Sequence, residues 1–395
     1  MKQALDNIKV LDLTRVLAGP YATMILADMG ADVIKIEMPK TGDDSRGYGP
    51  YVNNESAYFM SINRNKRSMT LNLKSQKGKE IFLEMIKEMD VLVENFRPGT
   101  MEKLGLGYDY LSTINPKLIY AAASGYGHTG PYSKRAAYDA VVQAMGGIMS
   151  ITGEKNGKPT RVGSSIGDIS AGMFTAIGIL AALESRHSTG RGQKVDVAML
   201  DCQVAMLENA IARYFVTEEV PRPYGNRHTS IVPFETFETS DGEIMVAAGN
   251  NNLWAKLCEC LEIPELAYDD RFKDNPLRNK NYDELRPLLT SAFKVKTTRE
   301  WQECLDIEGI PNGPINSIDM VVTDPQVISR EMIVEVEHPV VGRFKMPGIP
   351  IKLSDTPGII RTPAPVLGQH TEEILKEYLN YDKNEIQKLA EESVL

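Results

Sequence analysis

Residues 8–37, IKVLDLTRVLAGPYATMILADMGADVIKIE, decide the fold of this chain. Residues 8–13 are a short run of branched apolar residues that ends before a Gly-Pro pair, as a buried strand does. Residues 21–29 are helix formers followed by glycine, and residues 32–37 (DVIKIE) return to a strand-like pattern. The stretch therefore predicts a strand, a helix and a second strand, which together form the βαβ unit of a parallel sheet.

The same alternation of strands and helices continues through the first half of the chain. The predicted elements are a strand at 71–73, a helix at 77–89, strands at 91–94 and 118–122, a helix at 169–186, a strand within 188–199 and a helix at 200–217. Strands that alternate with helices form a mostly parallel sheet that is covered on both faces. We therefore expect an α/β fold.

A cluster of prolines and glycines at 218–230 predicts a domain boundary. Beyond it, residues 234–248 alternate around an Asp-Gly pair, which indicates a β-hairpin. Helical patterns follow, and residues 334–366 are rich in Pro, Gly and β-branched residues, as a long connection is. The predicted domains are a large domain at 1–217, a small α+β domain at 225–315, a linker at 316–366 and C-terminal helices at 367–395.

The composition excludes several classes of protein. The 395 residues are 42% hydrophobic and 25% charged, as in a folded globular chain. The net charge of −9 argues against a nucleic-acid partner, because phosphate binding needs an excess of Lys and Arg. Four cysteines form neither a disulfide framework nor a zinc pattern, so we expect no metal and a cytoplasmic location. No signal peptide is predicted, and the apolar run 169–183 is too short for a membrane span, so it predicts a core helix.

The first βα turn lacks the glycine fingerprint of dinucleotide-binding proteins, and the chain has no Walker A loop. A G-x-S-x-G pattern at 163–167 is compatible with a hydrolase in which Ser165 is the nucleophile. Asp168 follows at the start of the long apolar helix. It is interpreted either as a helix cap or as a carboxylate nucleophile, and both interpretations hold together.

Basic residues cluster in predicted loops of the first half, at 63–67, Lys74, Arg97 and 134–135. Such loops bind phosphate groups through charge-assisted hydrogen bonds, or they form a solvated rim. His128 is a candidate acid or base near neutral pH, although a surface or loop-packing role in its glycine-rich segment is favoured.

Taken together, these segments resemble the family III CoA-transferases, a group that also includes the α-methylacyl-CoA racemases. The resemblance runs nearly from end to end of the chain. It is carried by residues 10–37, NRNKRS (63–68), VENFRPG (93–99), SGYGHTGPY (124–132), YDAVVQAMGG (138–147), GDISAGMFTAIGILAAL (167–183), TGRGQKVDVAM (189–199) and GNRH (225–228).

The resemblance implies a Rossmann-like large domain built from both termini, a small domain between them and an interlocked homodimer. Its substrates would be an acyl-CoA and a carboxylic acid, with coenzyme A as a substrate and no tightly bound cofactor. Asp168 would attack the acyl-CoA thioester. The residues that would border the CoA site are Arg15, Val16, Leu17, Ala18, Leu71, Lys74, Asn95, Phe96, Arg97, Lys103 and Tyr138.

Two departures from the family pattern bear on the reaction. Formyl-CoA transferases carry Gln where this chain has Leu17, which argues against formyl-CoA and oxalate as substrates. Racemases place a His before an Asp where this chain has Tyr138 and Asp139. Losing that His removes one of the two bases that proton exchange needs. The expected function is acyl-CoA:carboxylate CoA transfer, and the alternatives are a 2-methylacyl-CoA racemase and a non-catalytic CoA-binding subunit.

Overall fold

A computed structural model describes residues 2–395 of the chain. Its strands are β1 (Lys9–Asp12), β2 (Asp32–Glu37), β3 (Tyr51–Val52), β4 (Glu55–Ser56), β5 (Lys66–Thr70), β6 (Val91–Glu94), β7 (Ile119–Ser124), β8 (Lys194–Ala198), β9 (Phe234–Glu238), β10 (Glu243–Ala247), β11 (Asn312–Pro314), β12 (Ile333–His338) and β13 (Gly342–Pro347).

The helices alternate with these strands in the first half and dominate the second. They are α1 (Ala18–Asp28), α2 (Ala57–Ile62), α3 (Gln76–Ile86), α4 (Thr100–Leu104), α5 (Tyr108–Ile114), α6 (Asp139–Met145), α7 (Ile148–Ile151), α8 (Ile166–Thr189), α9 (Met199–Met206), α10 (Glu208–Thr217), α11 (Asn251–Cys260), α12 (Glu265–Tyr268), α13 (Asn275–Lys280), α14 (Tyr282–Phe293), α15 (Thr298–Ile307), α16 (Ile318–Val321), α17 (Pro325–Ser329), α18 (Thr371–Leu379) and α19 (Lys383–Glu391).

Six strands form one parallel sheet in the order β5-β2-β1-β6-β7-β8. From β1 the chain proceeds to β2 and β5 on one side, and from β6 to β7 and β8 on the other. The strand order therefore reverses between β1 and β6, and ligands of open α/β sheets bind at such a switch point, outside the carboxyl ends of the strands. The predicted α/β class and parallel sheet are confirmed.

Both faces of this sheet are buried, because neighbouring residues of each strand point to opposite sides. Val10 and Val33 pack with α1 and α8 in one core, which includes Ile179. Leu11 and Ile34 pack in a second core on the other face, with α3, α18 and α19. The C-terminal helices therefore cover the same face of the sheet as α3.

The long helix α8 is the apolar helix predicted from the sequence. By length and composition alone it could cross a membrane, but half of its most apolar window is buried inside the protein. It packs closely on α1 at Gly172, where a Cβ atom would lie 2.7 Å from the carbonyl oxygen of Ala18. This close approach fixes the start of α8 beside the start of α1.

The basic run 63–67 is not the phosphate-binding loop that its sequence suggests. The predicted strand at 71–73 is also wrong, because the strand is β5, Lys66–Thr70. Lys66 is fully buried in an ion pair with Asp12, with 3.1 Å between Nζ and Oδ2. Arg64 forms a buried ion pair with Asp28, and Arg67 forms a partly exposed one with Asp32. Ion pairs thus allow a basic sequence to form a largely buried strand at the edge of the sheet.

The chain divides into two compact units. The large unit comprises the N-terminal residues up to Met149, Arg161–Glu219 and Gln326–Leu395, and the small unit comprises Ser150–Thr160 and Val220–Pro325. The small unit therefore includes a short segment from the first half of the chain, which the expected bounds of 225–315 leave out. It contains the antiparallel sheet β11-β10-β9 and a core around Trp254 and Trp301.

Part of the expected linker at 316–366 has regular structure. Residues Ile333–His338 and Gly342–Pro347 form the antiparallel hairpin of β12 and β13. The predicted helix at 200–217 is two helices, α9 and α10, which meet at Leu207. The side chains of both hairpin strands are largely exposed or half-buried, so their apolar pattern was weak.

Candidate active site

Two loops meet where the sheet order reverses. Arg15 follows β1 and Asn95 follows β6, the two strands on either side of the switch point. The Asn95 side chain accepts a hydrogen bond from the Arg15 backbone N–H at 2.8 Å and donates to the Arg15 carbonyl at 2.7 Å. This pairing holds the two loops together at the carboxyl edge of the sheet.

The residue after Arg15 has strained backbone geometry. Val16 has a φ of +66°, in the left-handed region that β-branched residues rarely adopt. Its N–H donates to Asp43 Oδ1 at 3.0 Å, and Asp43 is held by the fully buried Lys35 at 2.8 Å. Such strain persists only where the surroundings impose it, and it is concentrated at functional sites.

A cavity of about 450 Å³ opens beside this junction. Its lining is largely apolar and includes Leu13, Leu71 and Leu73. Lys74, from the loop before α3, and Lys103, from α4, also line it. Of the predicted CoA-bordering residues, this cavity is lined by Arg15, Leu71, Lys74, Phe96 and Lys103.

A second cavity of about 260 Å³ shares Arg15, Asp44 and Phe96 with the first. Asp168 and Met199 are part of its wall. The remaining predicted residues also line it, namely Val16, Leu17, Ala18, Asn95, Arg97 and Tyr138. The structure therefore brings Asp168 and every predicted CoA-bordering residue into two cavities that adjoin each other.

Three cations along these cavities form no ion pair with the residues that the structure describes. Lys74, Arg97 and Lys103 are exposed. Within the described residues, none of them forms an ion pair at 4.0 Å or less. Arg15 by contrast pairs with Asp44 at 3.1 Å. Unpaired cations beside an apolar cavity suit a ligand that combines phosphate groups with an apolar part.

Asp168 lies in the first turn of α8, and a second carboxylate organises that turn. Asp139, at the start of α6, accepts a hydrogen bond from the Gly167 N–H at 2.8 Å. The Gln143 amide donates to Asp139 at 2.8 Å and accepts from the Val162 N–H at 2.9 Å. Helix α6 thereby fixes the loop that delivers Asp168 to the cavity.

The surroundings of Asp168 favour its neutral form. Burial, followed by the charge of Asp139, raises the pKa of Asp168 from 3.8 to about 7. The Asp168 carboxylate makes no hydrogen bond or ion pair with another side chain in residues 2–395. Burial and the charge of Asp168 in turn raise the pKa of Tyr58 to about 12, which keeps that phenol protonated. A desolvated, unpaired carboxylate is suited to attack an electrophile.

The sequence marks Asp168 as a candidate nucleophile but does not mark its neighbours. Asp139 and Gln143 were visible only as part of a family motif, and Tyr58 was not singled out. Asp139 and Gln143 are four positions apart, and residues at this spacing share a helix face. That spacing is the signal in the sequence for their side-chain pair. The sequence contains no pattern that predicts the packing of α6 or α2 near α8, so it does not predict that these residues lie near Asp168.

The other candidate groups lie outside the two cavities. His128 Nδ1 lies 3.0 Å from Lys194 Nζ, and its Nε2 lies 3.7 Å from Glu94. His128 is therefore not placed as a second base opposite Asp168. Ser165 is the N-cap of α8, and within the described residues its hydroxyl makes no hydrogen bond to a histidine. Residues 2–395 therefore contain no serine-hydrolase triad at Ser165.

Comparisons with known proteins agree with this geometry. Residues 5–371 match the family model described as CoA-transferase family III. The chain is 43% identical to a human succinyl-CoA:glutarate CoA-transferase, over 99% of this chain and 90% of that protein. It is also 43% identical to an acetyl-CoA:oxalate CoA-transferase of Acetobacter aceti, over 95% of this chain and 96% of that protein.

The fold has a solved counterpart. A crystal structure of a CAIB/BAIF family protein from Brucella suis superimposes with a TM-score of 0.84 at 39% sequence identity, covering 96% of this chain and 100% of that chain. These relatives do not favour the racemase alternative, in agreement with the position of His128. The chain belongs to CoA-transferase family III and is an enzyme that transfers CoA between an acyl-CoA and a carboxylic acid.

Proposed function

We propose that Asp168 is the covalent nucleophile of this transfer. The observation that carries the proposal is the position of its carboxylate, which lies desolvated and unpaired in the wall of the smaller cavity. The adjoining larger cavity supplies the unpaired cations Lys74 and Lys103 that CoA phosphates require. The nucleophile and the phosphate-binding groups therefore belong to one continuous surface.

The reaction proceeds by acyl and thioester exchange at Asp168. The carboxylate attacks the donor thioester, a C–O bond forms, the C–S bond breaks, and CoA leaves as a thiolate. The thiolate then attacks the Asp168 carbonyl of the mixed anhydride, which releases the donor acid and leaves an aspartyl-CoA thioester. The acceptor carboxylate repeats these two steps in reverse and regenerates Asp168. No proton is gained or lost, so the enzyme needs Asp168 ionised but no general acid.

We propose that the CoA molecule extends through both cavities. The phosphates and nucleotide would lie in the larger cavity, and the thioester would reach Asp168 in the smaller one past Arg15 and Phe96, which line both. The exposed ring of Tyr138 borders the path of the thioester. Coenzyme A enters and leaves as a substrate, and no tightly bound cofactor is required.

For substrates we propose succinyl-CoA as donor and a short dicarboxylic acid as acceptor. The human relative is named for succinyl-CoA and glutarate, and a relative from Haloarcula marismortui, 40% identical, for succinyl-CoA and mesaconate. Both names pair a succinyl thioester with a second dicarboxylic acid. The identity of the acid depends on residues that recognise its unreacted carboxylate.

We further propose that the enzyme is a cytoplasmic homodimer. Helix α10 exposes Phe215 and Val216 at 76% and 84%, and α8 exposes Ile177 at 59%. Apolar side chains exposed to this degree are typical of a surface that a partner subunit covers. The cytoplasmic location is supported by cysteines that are free thiols.

Trapping with hydroxylamine tests the nucleophile. The protein is mixed briefly with succinyl-CoA and hydroxylamine, digested and analysed by mass spectrometry. We expect a hydroxamate at Asp168, no hydroxamate in Asp168→Asn, and an unchanged yield in Ser165→Ala. A hydroxamate at another residue, or CoA exchange that survives Asp168→Asn, would refute the assignment.

A further inference from the structure

The turn between β1 and α1 forms much of the wall of the smaller cavity. Arg15, Val16, Leu17 and Ala18 line that cavity together with Asp168. Leu17 is the N-cap residue of α1, which begins at Ala18. The direction in which the chain enters the helix depends on the backbone conformation of Val16. The positions of Leu17 and Ala18 in the cavity wall therefore depend on it as well.

Val16 does not adopt its conformation through local preference. Its φ of +66° lies in the left-handed region, where its Cβ crowds a backbone carbonyl oxygen. Without a restraint the residue would populate extended or right-handed conformations. In residues 2–395 the Val16 N–H has a single acceptor, Oδ1 of Asp43 at 3.0 Å. Asp43 therefore supplies the contact that holds the turn.

Asp43 is itself fixed by contacts that do not involve Val16. Its Oδ1 also accepts hydrogen bonds from the N–H and the hydroxyl of Ser45, each at 2.8 Å. Its Oδ2 lies 2.8 Å from Nζ of Lys35, and both side chains of this ion pair are fully buried. Lys35 also donates to the Thr14 carbonyl at 2.7 Å. The lysine thus ties Asp43 to the beginning of the same turn.

The charge state of Asp43 strengthens its hold on the turn. Burial raises the pKa of Asp43, but the charge and the hydrogen bond of Lys35 lower it, and the resulting pKa lies well below the usual range. Asp43 is therefore ionised at every pH at which the enzyme would be assayed. Hydrogen bonds to an ionised acceptor are stronger than those to a neutral one. Asp43 also lines the larger cavity, so it lies beside both parts of the proposed CoA path.

We propose that Asp43 is a positioning residue for CoA transfer: it holds Val16 in the left-handed conformation and so fixes the turn beside Asp168. The inference rests on the proposed function, in which Asp168 is the reacting group. Because the lysines that would bind the CoA phosphates belong to other segments of the chain, loss of this restraint should act on kcat more than on the KM for the acyl-CoA.

Steady-state kinetics of CoA transfer by the full-length protein test the role of Asp43. Lys35 also feels the charges of Asp12 and Glu37, so it keeps acidic neighbours in Asp43→Ala. We expect Asp43→Ala to lower kcat about tenfold and to leave the KM within about twofold. Asp43→Asn keeps an acceptor oxygen and should retain part of kcat. Ser45→Ala removes a donor to the same carboxylate and leaves the turn held, so it is the matched control and should keep the wild-type kcat.

A change at Val16 separates positioning from a loss of stability. Glycine adopts positive φ freely, whereas threonine is β-branched like valine. In the Val16→Gly background, Asp43→Ala should lower kcat by less than about threefold, because the turn no longer needs to be forced. In the Val16→Thr background the loss should remain about tenfold. An equal loss in both backgrounds would overturn the proposal, because it would show that Asp43 does not act through the conformation of this turn.

The outcomes separate this inference from the catalytic proposal. A wild-type kcat in Asp43→Ala alongside a normal Asp168 hydroxamate would overturn the positioning role alone. Absence of the hydroxamate, together with rescue in the Val16→Gly background, would overturn the assignment of Asp168 and leave the positioning role. If Asp43→Ala does not fold, Asp43→Asn takes its place, and its smaller loss of kcat should likewise disappear in the Val16→Gly background and persist in Val16→Thr.

Discussion

We expect Asp168, at the start of α8, and Asp139, at the start of α6, to set the pH dependence of the enzyme. Because the pKa of Asp168 is raised to about 7, its ionised fraction falls about tenfold per pH unit below that value. We therefore expect kcat/KM to rise with pH up to about 7 and then to level off.

The charge of Asp139 contributes to that raised pKa, so removing it should make Asp168 more acidic. In Asp139→Asn the rise of kcat/KM should move to lower pH, while burial of Asp168 keeps its pKa above 3.8. Asp201→Asn, which changes an exposed acid on α9, is the control and should leave the profile unchanged. A profile that does not move in Asp139→Asn contradicts the coupling.

Lys74 and Lys103 should act on the phosphates of CoA and not on the acyl group. Lys74→Ala and Lys103→Ala are each expected to raise the KM for the acyl-CoA about tenfold, with a smaller effect at high salt. A pantetheine thioester, which lacks the nucleotide, is the matched probe. Steady-state kinetics should show no change in its KM, and an equal loss with both substrates would show that the lysines act elsewhere.

At this scale the sequence marks Asp168 as the proposed nucleophile but does not reveal the residues around it. The position of Asp168 at a helix start is visible locally and is compatible with a helix cap or a nucleophile, and the family resemblance adds the nucleophile role. Asp139 and Tyr58 are not visible in this way, since their relation to Asp168 arises only when α6 and α2 pack near α8.

Among the elements, the contact of α1 with α8 positions the site. A Cβ on Gly172 would approach the Ala18 carbonyl oxygen to 2.7 Å, so Gly172→Ala must separate the two helices. We expect it to lower the free energy of unfolding by about 1–3 kcal/mol and to reduce kcat/KM, because Ala18 lines the cavity of Asp168. Gly163→Ala is the control, since its Cβ would meet no atom within 4 Å. Urea denaturation measures the free energy of unfolding of both variants. An equal loss in Gly172→Ala and Gly163→Ala, or no loss in Gly172→Ala, would contradict the close contact of α1 with α8.

Sequence periodicity predicted β1, β2 and β6 within a residue or two and failed at β5. The first three are continuous apolar runs, whereas β5 reads Lys-Arg-Ser-Met-Thr. The burial of its first residue, Lys66, depends on Asp12, which lies 54 residues away and neutralises the lysine. Charge neutralisation by a distant residue leaves no trace in local hydropathy, so the basic run resembled a loop.

For the molecule as a whole, the exposed apolar face of α10 predicts self-association. Sedimentation velocity should show a dimer, and Phe215→Asp should weaken it, because a carboxylate would be desolvated at the interface. Val295→Asp, at an exposed apolar residue of the small unit, is the control and should sediment as the wild type does. A monomeric wild type, or a Phe215→Asp variant that remains fully dimeric, contradicts the proposal.

The most direct test of covalent catalysis is whether an oxygen atom of the acceptor carboxylate is transferred to Asp168. The acceptor acid is labelled with heavy oxygen in the carboxylate that reacts, and the enzyme is allowed a single turnover from succinyl-CoA. Trypsin then releases residues 162–186, in which Asp168 and Glu184 are the only side-chain carboxylates.

If Asp168 carries the acyl group, the exchange leaves one heavy oxygen in its carboxylate, and fragmentation of the peptide will place the label at Asp168 and not at Glu184. Product formed with no label in this peptide would mean that CoA passes between the acids without a covalent bond to Asp168.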